Sequence, residues 1–561
     1  MTVDFIQPGM ILIAAGFLIL IAPRILTKML MTAGPVLTIS AVIITGGQGI
    51  TMIFGLIFSV ISLMSAIYNL HAKDRFETGV EAIYAGSGIS VVFSAHWIGM
   101  LIFWELMAAA SWLIVICGRT SASRKAGFRY LMIHMLGGSL LLCGIVIKIF
   151  SGETMIENLT GNLDLSAWLI LAGVAVNTAI PPLNAWIADA YPESTAGGTV
   201  YMASFTTKVG VFCLIKIFSG MELLLYFGVF MAVWGAAMAL IENDFRRLLS
   251  YHIISQVGYM VASLSMGTEA GIDGASAHAF NHILYKGTLM MCAGSVIAAT
   301  GIRKINKLGN LRKKMPVTSA CFAIASMAIA GFPLINGFVS KAVIMEAASE
   351  SGLVLTELLL TVASVGTLLS VTLKVNYFVF FGRSENTPRV NPAAVTLNMK
   401  AAMIAGSAAC VITGIFPELV YGLTPFGTDG HPFTAEHVIH YILLFAGGTA
   451  AFIIYAGHMK PKDRITLDTD WFYRAPLKKG LYALSSSIDG LRVEAGDGLG
   501  RFFALANRYM HQPGLLLRSK PPVKRDCIEN DDVLQKPAGW LVALNFILFA
   551  ALVLTVFIIT A

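Results

Sequence analysis

Sixteen stretches of this chain are long and apolar enough to cross a hydrocarbon layer, and that repetition leaves very few folds open. Inside a bilayer core about 30 Å thick, every backbone N–H and C=O must be satisfied by the protein itself, so only helices and closed barrels span it. Runs of this length are helices. They lie near residues 8–23, 30–46, 49–69, 79–95, 96–117, 126–149, 166–189 and 197–218, then near 221–241, 249–266, 274–299, 317–349, 352–382, 398–420, 436–458 and 538–560. The expected fold is an all-α polytopic membrane protein with about 16 transmembrane helices. Composition agrees: 13% of residues are charged, where soluble domains carry about a quarter. The mean hydropathy is +0.75.

The net charge of +7 is a topology signal rather than a sign of nucleic-acid binding. Lys and Arg concentrate in alternate loops: Arg24 and Lys28; Lys73 and Arg75; Arg119, Arg124 and Lys125; Arg246 and Arg247; and the cluster from Arg303 to Lys314. The intervening loops 151–164, 267–273 and 421–436 contain neither residue. The positive-inside rule makes the basic loops cytoplasmic, which puts both termini on the non-cytoplasmic side of an inner (plasma) membrane. The acidic loop 189–195 breaks the pattern. The N-terminus has no basic n-region, so the first apolar run reads as a retained helix rather than a cleaved signal peptide.

Two runs carry breakers at mid-membrane. In the seventh, residues 174–180 meet Pro181 and Pro182; in the twelfth, residues 327–330 meet Gly331 and Pro333. Proline lacks the N–H that an unbroken helix requires. The breaks lie five helices apart, and an odd number inverts the second unit, so the pattern predicts two inverted five-helix repeats with broken helices 7 and 12. Kinks without a function are the plainer reading of the same prolines. The expected organisation is three N-terminal helices (1–78), the two repeats (79–219 and 220–382), helices 14 and 15 (383–458), a cytoplasmic amphipathic segment (459–537) and a final anchor (538–561). That polar segment carries apolar residues at helical spacing, from Leu477 to Tyr509, suited to a membrane surface or to partner helices; a solvated linker is the alternative.

An ionisable side chain at mid-bilayer costs at least about 2.5 kcal/mol, which marks each one as a functional candidate. Glu105, Lys208, Lys341 and Lys374 all sit in apolar surroundings. The densest cluster is His278, His282 and Lys286, spaced i, i+4, i+8 on one helix face. Groups about 6 Å apart that change charge near neutral pH are what proton hopping through water requires. The HxxxH spacing alone could suggest a metal, but Lys286 on the same face argues against a cation, and no metal site or cofactor is expected. His134 and His252 also lie in apolar runs and read first as hydrogen-bonded core residues. The seven cysteines show no metal or cluster spacing, and six fall in apolar runs as packing residues.

The segments Phe103-Trp104-Glu105-Leu106, Pro182-Leu183-Asn184-Ala185-Trp186-Ile187, Thr207-Lys208-Val209-Gly210, Arg247-Leu248-Leu249-Ser250-Tyr251, Ser255-Gln256-Val257-Gly258-Tyr259, His282 through Lys286 and Gly331-Phe332-Pro333-Leu334 through Lys341 together resemble the antiporter-like subunits shared by respiratory complex I, membrane-bound hydrogenases and Mrp-type Na+/H+ antiporters. The resemblance implies fourteen core helices, two inverted proton half-channels and a central row of ionisable residues. By it, Glu105 corresponds to the fifth-helix glutamate, Lys208 to a bridging lysine, Lys341 to a terminal lysine, and His278, His282 and Lys286 to a histidine-rich helix. One departure stands out: where the family carries a seventh-helix lysine that pairs with the glutamate, this chain has Asn177. Either the first half-channel is altered or Lys208 pairs with Glu105 instead.

The expected function is proton translocation, with or without exchange for Na+, by one subunit among other membrane subunits of an Mrp-type antiporter or a complex I- or hydrogenase-like assembly. A redox-driven pump is the alternative within the family. A stand-alone solute carrier and a transport-silent structural subunit are readings from other classes. No redox or hydrolytic site is legible in the chain itself.

Overall fold

The computed structural model of the chain describes residues 7–462 apart from 48, 383–391 and 428–430, together with 468, 469, 471, 476 and 480. The amphipathic stripe expected between Leu477 and Tyr509, and the anchor expected over 538–561, lie outside the described residues but for residue 480. The architecture is that of the unit Val3–Asp468.

Its elements are α1 (Gly9–Ile21), α2 (Arg24–Thr45), α3 (Ile50–Asn69), α4 (Arg75–Phe93), α5 (Trp97–Ile116), α6 (Ser121–Phe150), α7 (Leu165–Thr178), α8 (Trp186–Ala190), α9 (Ala196–Ser204) and α10 (Thr206–Phe218). The second half continues with α11 (Glu222–Ile241), α12 (Phe245–Ser265), α13 (Glu269–Thr300), α14 (Pro316–Ala330), α15 (Asn336–Glu350), α16 (Val354–Thr367), α17 (Leu397–Ile415), α18 (Glu418–Tyr421) and α19 (Ala435–Tyr455). From Leu368 to Phe381, α16 runs on as a wider π-helical stretch.

The protein is an all-helical polytopic membrane protein. Among the described residues, ten helices or continuous helix pairs are long and apolar enough to cross a bilayer. The distribution of side chains is the reverse of a soluble protein's. Ile21, Ile25 and Ile44 are 79%, 81% and 84% exposed, while Lys208, His282 and Lys341 are each 0% exposed. Apolar side chains turned outward are solvated by lipid, so the ionisable groups take the interior. α12 is too polar to stand in lipid and does not have to: each of its residues except Arg247 is buried.

Local chemistry sets several boundaries that hydropathy misses. α2 starts directly after Pro23, so Arg24 and Lys28, expected in a loop, form its first turns. α6 starts on a reciprocal cap in which Ser123 N–H donates to Thr120 Oγ1 and Thr120 N–H to Ser123 Oγ, both at 2.9 Å. Arg124 and Lys125 therefore belong to the helix. The two neighbouring runs expected over 79–117 divide at residues 94–96.

The acidic loop that breaks the charge alternation has a structural explanation. Asp189 pairs with Arg129 at 2.7 Å, and Arg303 bridges Glu193 and Asp244, both at 2.9 Å. The buried Arg246 guanidinium donates to the carbonyl oxygens of Ser194 and Thr195 and to Thr199 Oγ1. The acidic loop is thus tied to basic residues of α6, α12 and the segment after α13, at the same end of the protein. A cavity of about 590 Å³ opens there, lined by Lys125, Arg129, Asp189, Glu193 and Arg303 among others.

Candidate functional site: a buried row of amines, imidazoles and hydroxyls

The site begins at a missing hydrogen. In an unbroken helix the N–H of residue 333 would bond the carbonyl of Ile329, but residue 333 is proline and has none. α14 ends instead at Ala330, with Gly331 left-handed at φ +87°. The orphaned Ile329 carbonyl accepts from Lys341 Nζ of α15 at 2.9 Å. Lys341 also donates to Ser364 Oγ of α16 at 3.0 Å and lies 4.9 Å from the centroid of the Tyr259 ring, a cation–π arrangement. Tyr259 closes the group, its hydroxyl 3.0 Å from Ser364 Oγ and donating to the Leu360 carbonyl. The break and the lysine therefore form one device.

From Lys341 the row continues through its neighbour in sequence. Ser340 Oγ is 2.9 Å from His278 Nδ1, and His278 Nε2 is 3.5 Å from the Tyr285 hydroxyl, which donates to Gln256 Oε1 at 3.3 Å. The rings of His278 and His282 are 6.5 Å apart, and Tyr285 lies 5.2 Å from His282. Neither ring nitrogen of His282 has a protein hydrogen-bond partner, although the residue is completely buried. Lys286 donates to the Leu249 carbonyl at 2.9 Å. Lys208, Lys286 and His252 all lie within electrostatic reach of His282. The histidine face expected from the i, i+4, i+8 spacing is therefore flanked by lysines from two elements.

Lys208 owes its place to a break that the sequence does not advertise. The run expected over 197–218 is two helices, α9 and α10, parted at Phe205 (φ −105°, ψ −73°) with no proline or glycine at the joint. The Thr206 N–H is taken by the Tyr84 hydroxyl at 2.9 Å. Lys208 Nζ reaches back across the joint to the Ala203 carbonyl at 2.6 Å and to Thr207 Oγ1 at 3.0 Å.

The first break is fastened differently. α7 ends at Thr178 with Ala179 left-handed (φ 59°), and the Trp186 indole of α8 donates to the Val176 carbonyl at 3.1 Å. Pro181 and Pro182 lie between the two helices. Asn177 accepts at Oδ1 from His134 Nδ1 of α6 at 2.9 Å. Glu105 of α5 presses its carboxyl against Gly138 of α6, where a Cβ would lie 3.0 Å from the carboxyl carbon. Among the described residues no ion pair joins Glu105 to Lys208, and Glu105 Oε1 has no hydrogen-bond partner.

The remaining candidates are placed as follows. Lys374 donates to the carbonyls of Leu240 and Glu242, both at 2.7 Å, and so braces the end of α11. His252 Nε2 is 2.8 Å from Ser370 Oγ, while its Nδ1 is unpartnered. Hydropathy reading passed over Tyr259, Ser364, Ser340 and Tyr285, because hydroxyls in a membrane helix commonly bond their own backbone. It also passed over Glu81, buried in α4 with both oxygens accepting from Asn69 Nδ2 at 3.1 and 2.9 Å. A carboxylate inside an apolar run was the available signal.

The site is thus a row of carbonyl-bound lysines, with histidines among them, enclosed in an all-helical bundle of interrupted helices. Residues 94–370, which contain α5 to α16 and only the start of the π-helical stretch, match the family described as NADH:quinone oxidoreductase/Mrp antiporter, TM, and the chain belongs to that family. A Na+/H+ antiporter protein of Bacillus subtilis is 26% identical over 361 residues, covering 61% of this chain and 72% of that protein. A NADH-quinone oxidoreductase protein of Desulforudis audaxviator is 30% identical over 275 residues, 45% of this chain and 54% of that one. A chain of the Mrp complex from a Dietzia species has the same fold, with a TM-score of 0.64 at 20% identity, over 80% of this chain and 96% of that one.

Proposed function

We propose that this chain is a proton-translocating, antiporter-like subunit of a multisubunit membrane complex, and that the row from Lys208 through His282, Lys286 and His278 to Lys341 carries the protons. The observation that carries the proposal is how the row is built. Its lysines are completely buried, yet they donate to backbone carbonyls and hydroxyls rather than to carboxylates. A structural buried lysine is normally neutralised by a partner. A row of amines and imidazoles solvated only by dipoles can instead pass a proton along.

In this reading the chain has two inverted five-helix units, residues 79–219 and 220–382. Support comes from α7 and α14, which both end on a left-handed residue and are both followed by proline before a second helix. Glu105 and Lys208 serve the first unit and Lys341 the second, with His278, His282 and Lys286 between them. The end carrying Arg129, Arg246 and Arg303 faces the cytoplasm of a plasma membrane, following its charge. The likeness to the Bacillus Na+/H+ antiporter protein favours an Mrp-type assembly with Na+ as the exchanged ion. The 30% identity to a NADH-quinone oxidoreductase protein favours a second reading, in which the same row is driven by a redox module.

Lys341→Ala tests the common part of both readings. In everted membrane vesicles it should abolish proton movement while the complex still assembles on a native gel. Transport at the wild-type rate would remove Lys341, and with it the row, from the mechanism.

A further inference from the structure

His134, buried, and Glu105, half-buried, are a second set of proton-binding groups, on the α6 side of the first break. His134 is 2% exposed. Its ring is wedged against Tyr130 and Trp186, with centroids 4.0 and 4.6 Å away. Its hydrogen bond is to Asn177 Oδ1. In this orientation of the Asn177 amide the oxygen at Nδ1 can only accept, so Nδ1 carries the hydrogen and the neutral ring keeps its lone pair on Nε2. That nitrogen is buried without a protein partner, and so is Glu105 Oε1. A buried polar atom left unpaired costs about 1–3 kcal/mol, and such exceptions call for an explanation.

The two orphans share one face of one helix. The Glu105 carboxyl rests on Gly138, and His134 lies one turn earlier on α6, about 6 Å along its axis. Five residues before His134, roughly 7.5 Å further along the same helix, Arg129 lines the cavity at the basic end. The other elements packed on this stretch contribute Asp189, paired with Arg129, from α8, and Tyr191 and Glu193 from the turn after it. Tyr130 donates to Ser111 Oγ of α5.

We propose that His134 is a proton-relay residue between the cavity at the basic end and Glu105, and that Asn177 is a positioning residue that holds its accepting nitrogen at Nε2. The step is a proton transfer only. Nε2 takes a proton delivered by water from the cavity, giving an imidazolium, and the same Nε2–H then breaks to pass that proton through water to the Glu105 carboxylate, which returns the ring to its neutral Nδ1–H form. Asn177 stays bonded to Nδ1–H throughout, so the ring cannot turn over and lose its alignment. The inference rests on the reading that the chain conducts protons, but its first test does not.

That first test reads the tautomer of His134 by nitrogen-15 NMR of histidine-labelled full-length protein in lipid, with the His134 signal assigned by its loss in His134→Gln. The wild type should show a neutral ring protonated at Nδ1. Asn177→Leu should lose that preference. A resting ring protonated at Nε2 would overturn the proposal whether or not the chain transports. The second test is flux in everted vesicles. His134→Gln, which keeps a bond to Asn177 but cannot carry a proton, should slow transport at least tenfold, and Asn177→Asp, which keeps the acceptor, should slow it less than Asn177→Leu. Wild-type flux in His134→Gln would overturn the relay while leaving the central row standing. Loss of flux in Lys341→Ala reports on the row alone.

Discussion

Ser364→Ala is the sharpest available probe of the Lys341 site, because it removes one hydroxyl and little else. Ser364 is 3% exposed, and alanine differs from it by a single oxygen, so no cavity of consequence is opened. Tyr259 keeps its bond to the Leu360 carbonyl, and Lys341 keeps Ile329. What is lost is one of the hydrogen bonds that hold the buried Lys341 amine, together with the contact between Ser364 and the Tyr259 hydroxyl. A hydrogen bond to a charged group contributes about 1.5–3 kcal/mol. At about 1.4 kcal/mol per factor of ten in rate, the charged form of the relay should become harder to reach by roughly 10- to 150-fold. The assay is acidification of everted vesicles followed with a pH-sensitive dye, normalised to the amount of assembled chain. Ser364→Thr, which restores a hydroxyl, should recover most of the rate. Wild-type flux in Ser364→Ala would show that Lys341 does not hold its proton on Ser364 during transport, and the site as described would then be structural.

Two further outcomes follow from particular contacts. Gly138→Ala places a methyl where the Glu105 carboxyl now lies, an overpacking that costs about 1–3 kcal/mol. Thermal unfolding in detergent should show that loss in the wild-type background and not in Glu105→Ala; equal losses in both would mean that Glu105 does not rest on Gly138. Asp164 caps α7, accepting from the Ala167 N–H at 2.8 Å, and Asp164→Ala should cost about 1 kcal/mol. The Ser166 hydroxyl and the Ala167 N–H hold the Asp164 carboxyl below its usual range. The cap's contribution is therefore complete above the ordinary aspartate range and fades as pH falls through the lowered value. A wild-type minus Asp164→Ala difference that grew on acidification would refute the assignment.

The sequence carried the bundle because membrane helices announce themselves by length and apolarity, and it carried the two proline breaks because proline cannot hide. It did not carry the joint at Phe205, where no breaker stands and the interrupted backbone groups are taken up by the Tyr84 hydroxyl and the Lys208 amine. It singled out Lys341 from its burial in an apolar run, but not Ser364 and Tyr259, which meet Lys341 only because α12 and α16 are folded against α15. His134 and Asn177 each stand out in the sequence for a separate reason, but they lie 43 residues apart and nothing in either helix shows that they meet. Chemistry confined to one helix face, as in His278, His282 and Lys286, is legible from spacing. Chemistry assembled from several helices requires the fold.

The way the lysines are held bears on what they can do. An amine bonded to a carboxylate is fixed in its charged form, because losing the proton would strand the carboxylate in a low-dielectric interior. An amine bonded to carbonyls and hydroxyls is under no such constraint: as an ammonium it donates three hydrogens and as a neutral amine two, and the same acceptors serve both. Lys208 at Ala203 and Thr207, Lys286 at Leu249 and Lys341 at Ile329 and Ser364 all follow that plan. If the plan matters, converting one site to an ion pair should stall it. Ser364→Asp would set a carboxylate about 3 Å from Lys341 Nζ, the present Oγ distance. Opposite charges 4 Å apart at an effective dielectric constant of 20 attract by about 4 kcal/mol, more than the hydrogen bond that Ser364→Ala removes. Ser364→Asp should therefore transport more slowly than Ser364→Ala, with the protein at least as stable to heat. Faster flux in the aspartate variant than in the alanine variant would mean that a fixed counter-charge assists Lys341, and that its bonding to dipoles alone is not what keeps the row conducting.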